Sequence, residues 1–119
     1  MPELNDTPSI IDVPGGKVIA EHVGRVATGS EAMSVAHMKA PGDWSEPAQR
    51  PDFDEVTVVV SGTVLVEHDG GTTTVGAGQS IVTRAGERVR YSTGPEGAEY
   101  VAICTPAFTP DTVHREDEG

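Results

Sequence analysis

Glu55 is the residue of this sequence best placed to do chemistry. It follows a polar segment broken by Pro47 and Pro51 and precedes the most β-prone run of the chain, residues 56–60. Proline is excluded from central strands, whereas branched residues fit a largely buried one. A carboxylate at the mouth of a buried strand loses hydration, which raises its pKa and suits it to act as a general base or a ligand. The competing interpretation is a structural acid at the rim, bonded to backbone amides.

Three other polar side chains could share a cavity with Glu55. Tyr91 lies in a later predicted strand, where its phenol could orient a substrate oxygen or act as a weak acid; otherwise it is a core aromatic. Gln49 could donate and accept hydrogen bonds to a substrate, or be a solvated loop residue. His37 alternates with apolar residues and reaches the same cavity if that face points inward. A lone histidine on a strand is more often simply packed or exposed.

Two aromatic residues, Trp44 and Phe53, flank the polar loop before Glu55. They could line an opening for an apolar or aromatic ligand, or simply cover the end of the core. A later cluster of arginines could pair a carboxylate bidentately. We expect Arg84 and Arg88 to neutralise acids on the surface instead.

Length and charge limit the classes of protein to consider. The 119 residues suffice for one domain, and 19 acids against 8 bases give a formal charge of −11. Nucleic acids and anionic membranes are therefore poor partners. A single cysteine, Cys104, excludes an internal disulfide and fits a reducing cytoplasm. The sequence contains no apolar run of membrane-spanning length and no signal-peptide pattern at its start, so we predict a cytoplasmic protein.

Turn signals every eight to twelve residues, without helical periodicity, predict an all-β sandwich or small barrel. We predict an N-terminal arm (1–16), a barrel (17–105) and a C-terminal strap with an acidic tail (106–119). A hairpin is expected about Ser61-Gly62, and residues 94–97 are expected to form a loop between two strands. The predicted strands comprise residues 17–22, 32–39, 55–60, 63–68, 72–75, 80–84, 89–93 and 99–104.

Over residues 30–105 the chain resembles the cupin superfamily. Glu55, followed by six residues and then Gly62, matches the second half of the first cupin motif. Residues 78–86 match the start of the second motif, with Arg84 at the position usually held by proline. The resemblance implies a jelly-roll β-barrel, which is often a homodimer formed through its N-terminal strands.

The chain departs from metal-binding cupins at the ligand positions. The two histidines of the first motif correspond to Gln49 and Pro51, or to the residues immediately before them if the spacing is one longer. The last histidine falls near Val89, so only Glu55 remains of the four ligands. In this respect the chain is similar to ethanolamine-utilisation cupins and to other single-domain cupins that lack the histidines.

Three hypotheses of function follow. In the first, the barrel binds a small organic molecule without a metal cofactor and catalyses proton transfer, with Glu55 as base and Tyr91 as donor. In the second, one divalent transition metal, held by His37, Gln49 and Glu55, supports a dioxygenase or isomerase; loss of the motif histidines argues against it. In the third, the protein is a non-catalytic sensor or assembly partner. The residues predicted to contact the substrate are Gln49, His37, Trp44 and Phe53.

Overall fold

The computed structural model describes residues 1–116, which form a single antiparallel sheet of seven strands folded on itself. The strands follow the order β1-β2-β3-β7-β4-β5. The short strand β6 pairs with residues 55–58 of β4, next to the stretch of β4 that pairs with β5. No helix in this part of the chain could cross a membrane. The all-β prediction is confirmed. The strands are β1 (Ser9–Ile11), β2 (Val18–Val23), β3 (Ser34–Ala40), β4 (Asp54–His68), β5 (Gly71–Gly76), β6 (Ser80–Thr83) and β7 (Arg90–Thr105).

Two long bent strands, β4 and β7, replace four of the predicted short ones. The expected hairpin at Ser61-Gly62 is wrong, because β4 continues through it, and β7 likewise continues through the expected loop at 94–97. The pairing of β4 with β7 shifts register on both sides of Gly62. Gly62 and Gly97 have φ values of 75° and 76°. Such bulges bend a strand without reversing it, so paired strands can turn a corner together.

Alternation along β4 places Glu55 on the inner face of the barrel. Thr57 and Val59, which share its face, are each 1% exposed, whereas Val58 and Val60 lie on the outside. Successive strand residues point to opposite faces, so the orientation predicted for Glu55 follows directly.

The N-terminal strand β1 forms one end of the strand order and pairs with β2 of its own chain.

The C-terminal segment 106–116, here called the strap, lies across one end of the barrel. Its backbone pairs with residues 48–52: the amides of Arg50 and Asp52 donate to the carbonyls of His114 and Thr112, at 3.2 and 2.9 Å. The Phe108 ring packs edge-on against Phe53, with centroids 5.9 Å apart. The strap therefore closes the end of the barrel beside Glu55.

Candidate functional site

A cavity of about 570 Å³ lies inside the barrel beneath the strap. Its volume falls in the range of small-molecule sites. One wall is apolar and is formed mainly by Ile19, Met38, Phe53, Ala102, Phe108 and Val113. The polar side chains at the cavity are chiefly Lys17, Glu46, Gln49, Glu55, Tyr91 and Arg115.

Glu55 on β4 and Tyr91 on β7 meet at the cavity wall, although the β4–β7 pairing places Glu55 opposite Cys104 and Tyr91 opposite Val66. The Tyr91 hydroxyl donates to Glu55 Oε1 at 3.4 Å and shares a 3.0 Å hydrogen bond with Thr83 Oγ1. Thr83 lies directly opposite Glu55 in the β4–β6 pairing, which fixes the spacing of the three groups. The 3.4 Å contact is long for a hydrogen bond between oxygens, so Tyr91 is bonded more firmly to Thr83 than to Glu55.

The protonation states of this pair are set mainly by burial. Glu55 retains accessible surface because it lines the cavity, but protein surrounds it on all sides. Burial raises the pKa of Glu55 to about 7; the charge of Glu46 adds to the rise, and Lys17 and the Tyr91 hydrogen bond oppose it. Burial, followed by the charge of Glu55, raises the pKa of Tyr91. Near neutral pH, Glu55 therefore exchanges a proton readily, while Tyr91 remains a neutral donor.

Gln49 is held against the start of β7 by two backbone hydrogen bonds. Its amide donates to the Val89 carbonyl at 2.8 Å, and the Val89 amide returns a bond of 2.9 Å. The residue is only 4% exposed, and its side-chain oxygen has no hydrogen-bond partner within residues 1–116. A buried acceptor without a donor costs about 1–3 kcal/mol. A ligand donor at the cavity would remove this cost.

Three charged cavity residues are absent from the sequence-based site. The Lys17 ammonium lies 4.3 Å from the centroid of Trp44 and 5.5 Å from that of Tyr100. Arg115 Nη2, on the strap, lies 3.6 Å from Glu46 Oε2. Burial lowers the pKa of Lys17 and raises that of Glu46, against the attraction between the two.

A partial sequence signal existed for two of these residues. Lys17 is one of only two lysines in the chain, and it is the first residue of a predicted strand. Glu46 lies three residues before Gln49 in the loop already singled out. Arg115 had no such signal, because only the path of the strap brings it to the cavity.

His37 lies on the outer face of β3, so the expectation that it shares the cavity with Glu55 is wrong. Its Nε2 lies 2.7 Å from Glu99 Oε2 on the neighbouring strand. The residues of β3 that line the cavity are Ser34, Ala36 and Met38. Both faces of this strand carry apolar side chains, so the alternation of residue types alone does not show which face points into the barrel.

The two predicted aromatic contacts differ in position. Phe53 lines the cavity and is 2% exposed. Trp44 is buried in the main core cluster and is not part of the cavity wall. It reaches the site only through the Lys17 ammonium above its ring. Arg84 pairs with Asp54 and Arg88 with Glu116, both on the surface as expected.

The residues at the cupin metal positions do not fit a transition-metal ion. Val89, at the position of the last histidine, is 1% exposed and belongs to the apolar core. Gln49 and Tyr91 offer an amide and a neutral phenol, which are weak ligands for metals that favour imidazole, and burial raises the pKa of the Cys104 thiol opposite Glu55, which disfavours the thiolate that a metal needs. Within residues 1–116 no three His, Cys, Asp or Glu side chains are grouped to hold a metal. The set His37, Gln49 and Glu55 is ruled out by the position of His37.

Comparison with known families agrees with this architecture. The family profile described as "Cupin domain" matches residues 37–104, more than half of the chain. The chain belongs to the cupin family. The jelly-roll barrel implied by its two motifs is thereby confirmed.

One curated relative of this cupin is named "Endoribonuclease YbeY", from Myxococcus xanthus (strain DK1622). It is 43% identical over 102 residues, which are 85% of this chain and 35% of that protein. The cupin therefore matches only about a third of that relative's length.

Solved structures share the fold at low sequence identity. A putative ethanolamine utilization protein Q from Salmonella typhimurium LT2 has a TM-score of 0.62 and 20% identity, covering 85% of this chain and 97% of the other. The polyketide cyclase RemF from Streptomyces resistomycificus has a TM-score of 0.75 and 18% identity, covering 100% and 87%. The predicted similarity to ethanolamine-utilisation cupins is confirmed at the level of fold.

Proposed function

We propose that this cupin binds a small organic molecule in its cavity and catalyses proton transfer on it without a metal. The observation that carries the proposal is the pairing of Glu55, whose pKa is about 7, with the neutral phenol of Tyr91 on the wall of an enclosed cavity. A general base is most effective when its pKa lies near the working pH. The reaction classes that fit are isomerisation, cyclisation and elimination.

In the proposed mechanism, the Glu55 carboxylate removes a proton from a carbon next to a substrate carbonyl. The electron pair of the broken C–H bond forms a C=C bond, the π pair of the carbonyl moves onto its oxygen, and Tyr91 donates a hydrogen bond to the oxyanion that forms. Glu55 then returns the proton to another atom, so isomerisation leaves the enzyme unchanged. The long hydrogen bond between Tyr91 and Glu55 suits this mechanism, because the phenol can turn toward the substrate oxygen and lose only a weak interaction with Glu55.

Gln49 serves as the orienting group in this mechanism. Gln49 lines the cavity, and its buried side-chain oxygen has no protein donor within residues 1–116, so a turn of the amide toward a bound substrate would let it accept a hydrogen bond from a substrate O–H or N–H. A group fixed by two backbone hydrogen bonds loses little freedom when it binds, which favours precise placement of the reacting carbon.

The names of the relatives bear unequally on the proposal. The structure of the cyclase RemF covers the entire chain, and at 18% identity this likeness supports the shared fold. A cupin barrel that performs cyclisation is consistent with the proposed chemistry. The endoribonuclease name belongs to a protein of which this chain matches 35%. A formal charge of −11 repels RNA phosphates. We therefore propose no RNA substrate.

Deuterium exchange tests the proposal without knowledge of the natural substrate. A panel of cyclic and aryl-substituted ketones is incubated with the protein in D₂O, and NMR follows loss of the α-proton signal. We expect at least one ketone to exchange faster than in buffer. Glu55→Gln should remove this acceleration, whereas Glu96→Gln, which changes an exposed acid outside the cavity, should preserve it.

Two results would contradict the proposal. One is the absence of accelerated exchange with every ketone of the panel. The other is exchange that persists unchanged in Glu55→Gln, which would place the base elsewhere. Ligand binding without any exchange would favour the non-catalytic sensor.

A further inference from the structure

The Lys17 ammonium is a strong hydrogen-bond donor with no acceptor in the described chain. It lines the cavity and contacts the faces of Trp44 and Tyr100, and no carboxylate within residues 1–116 lies within 4.0 Å of it. An ammonium carries three donors, and aromatic faces satisfy only its charge. Its donors are therefore available to an acceptor that enters the cavity.

A second cation, Arg115, faces the same space from the strap. Its guanidinium contacts Glu46 through a single 3.6 Å ion pair, which leaves most of its five donors uncommitted to that carboxylate. Arg115 and Lys17 repel each other, and the charge of the arginine adds slightly to the effect of burial, which lowers the pKa of the lysine. Glu46, whose side chain is 11% exposed, interacts with both cations, and it is the carboxylate closest to Arg115 among the ion pairs of the described residues.

The remaining carboxylates of the cavity wall do not compensate these cations. Glu21 already accepts the amides of Val26 and Ala27 at 3.1 and 2.8 Å. Asp12 and Asp111 are exposed, so water screens their charges. Glu55 takes part only when it is ionised.

We propose that Lys17 and Arg115 form an anion subsite, and that the ligand is a largely apolar molecule carrying one anionic oxygen group, a carboxylate or an enolate. Its apolar body packs against the wall that contains Phe53 and Phe108, and its charged oxygen accepts from both cations. A hydroxyl or N–H on the same molecule donates to Gln49. This inference rests on the proposed function, because it names the ligand class of the same cavity.

This arrangement also explains why the strap belongs to the site. Arg115 reaches the cavity only because the strap pairs with residues 48–52, so an anionic ligand bridges the segment just before β2 and the strap through the two cations. Charge-assisted hydrogen bonds are about twice as strong as neutral ones. The charge of the ligand therefore contributes directly to affinity.

Matched ligands of one skeleton test the subsite. Arylalkanoates of increasing length, beginning with 3-phenylpropanoate, are compared with the corresponding amides and amines in titrations followed by NMR. Trp44 is the only tryptophan and lies beneath Lys17, so its single indole N–H resonance reports on the subsite. We expect the carboxylates to bind roughly tenfold more tightly than the amides, since one charge-assisted bond supplies a difference of that size.

Variants then assign the preference to its residues. Lys17→Met retains the apolar stem, and Arg115→Gln removes the charge of a strap residue whose side chain is 39% exposed. Each should bring carboxylate and amide affinities close together. Lys39→Met is the matched control, because it removes the other lysine, which is exposed and outside the cavity. It should leave the carboxylate preference unchanged.

Three outcomes would overturn the subsite. If amides or amines bind as tightly as the carboxylates, the anion subsite is wrong, although the cavity still binds small molecules. A carboxylate preference unchanged in both Lys17→Met and Arg115→Gln would place the anion elsewhere. Failure of the whole series to bind would contradict the subsite and the binding cavity together. Deuterium exchange tests the Glu55 chemistry separately, so the two failures remain distinguishable.

Discussion

At the scale of single residues, Glu55 combines two properties that usually oppose each other. It faces a cavity large enough for a ligand, yet surrounding protein desolvates its carboxylate and raises its pKa to about 7. A surface acid stays fully ionised at neutral pH, and a fully packed one has no access to substrate. Placement on the wall of an enclosed cavity gives an acid that is both reactive and reachable.

The raised pKa of Glu55 predicts how stability depends on pH. The folded chain retains this proton between the ordinary value of 4.5 and about 7, whereas the unfolded chain loses it. Stability therefore falls as pH rises through this window, by about 1.4 kcal/mol per pH unit and on the order of 3 kcal/mol in total. Glu46, whose pKa is also raised by burial, acts in the same direction.

Urea unfolding at pH 5 and pH 8 measures this dependence. Glu55→Gln should remove much of the difference between the two pH values and should be more stable than the wild type at pH 8. Glu96→Gln is the control for the loss of one surface acid. Equal pH dependence in wild type and Glu55→Gln would show that the Glu55 carboxylate is not desolvated.

Residue-level prediction from sequence succeeded where strand periodicity fixed the direction of a side chain. Glu55 and Tyr91 follow from alternation within strands whose inner faces are marked by branched and aromatic neighbours. The predicted direction of His37 was wrong because both faces of its strand carry apolar side chains. Lys17, Glu46 and Arg115 come from loops and the strap, whose paths depend on tertiary packing.

At the scale of elements, the long bent strands β4 and β7 hold the site together. Glu55 and Tyr91 lie near opposite ends of their ladder, opposite Cys104 and Val66, and the bend of the two strands brings these side chains, 36 residues apart in sequence, to one wall. The sequence predicted a turn at Gly62 because glycine after serine is typical of hairpins. A glycine bulge gives the same local signal, and only the pairing of Gly62 with Ala98 on β7 distinguishes the two.

Substitution of Gly62 tests the role of this bulge. A methyl group there would collide with the Gly97 carbonyl, and the positive φ adds strain. We expect Gly62→Ala to lower the free energy of unfolding by more than 2 kcal/mol, a size typical of overpacking combined with backbone strain. Gly86→Ala is the matched control, since it shares the positive φ but has open space around it.

Thermal and urea unfolding of the two variants separate strain from collision. Gly86→Ala reports the cost of the conformation alone, and the excess in Gly62→Ala reports the close approach of β4 and β7. Equal losses in the two variants would contradict the tight crossing at this bend.

At the scale of the whole molecule, a curved antiparallel sheet covered at one end by the strap produces an interior cavity in a chain poor in aromatic residues. Period-two alternation and regular turns were sufficient to predict the fold class, because these patterns are local. Closure of the barrel end was not predictable in detail, since it depends on backbone pairing between residues 48–52 and the strap. Residues 117–119 of the predicted acidic tail lie outside the described part of the chain.

The homodimer implied by the cupin resemblance stays a prediction at this scale. Val58, Val60 and Val82 are exposed on the outer face of the sheet and offer an apolar surface for a second copy. Light scattering would compare the mass in solution with the 12.4 kDa of one chain.

The most direct test of this account is a pH titration of the Glu55 side-chain carboxyl carbon by NMR, with Glu55→Gln used to assign its resonance. The account predicts a midpoint near the value of about 7 set by burial, well above the ordinary 4.5. The Tyr91 hydroxyl should stay protonated throughout, because its pKa is raised. A midpoint close to 4.5 would show a solvated carboxylate and would contradict Glu55 as the base of the proposed reaction.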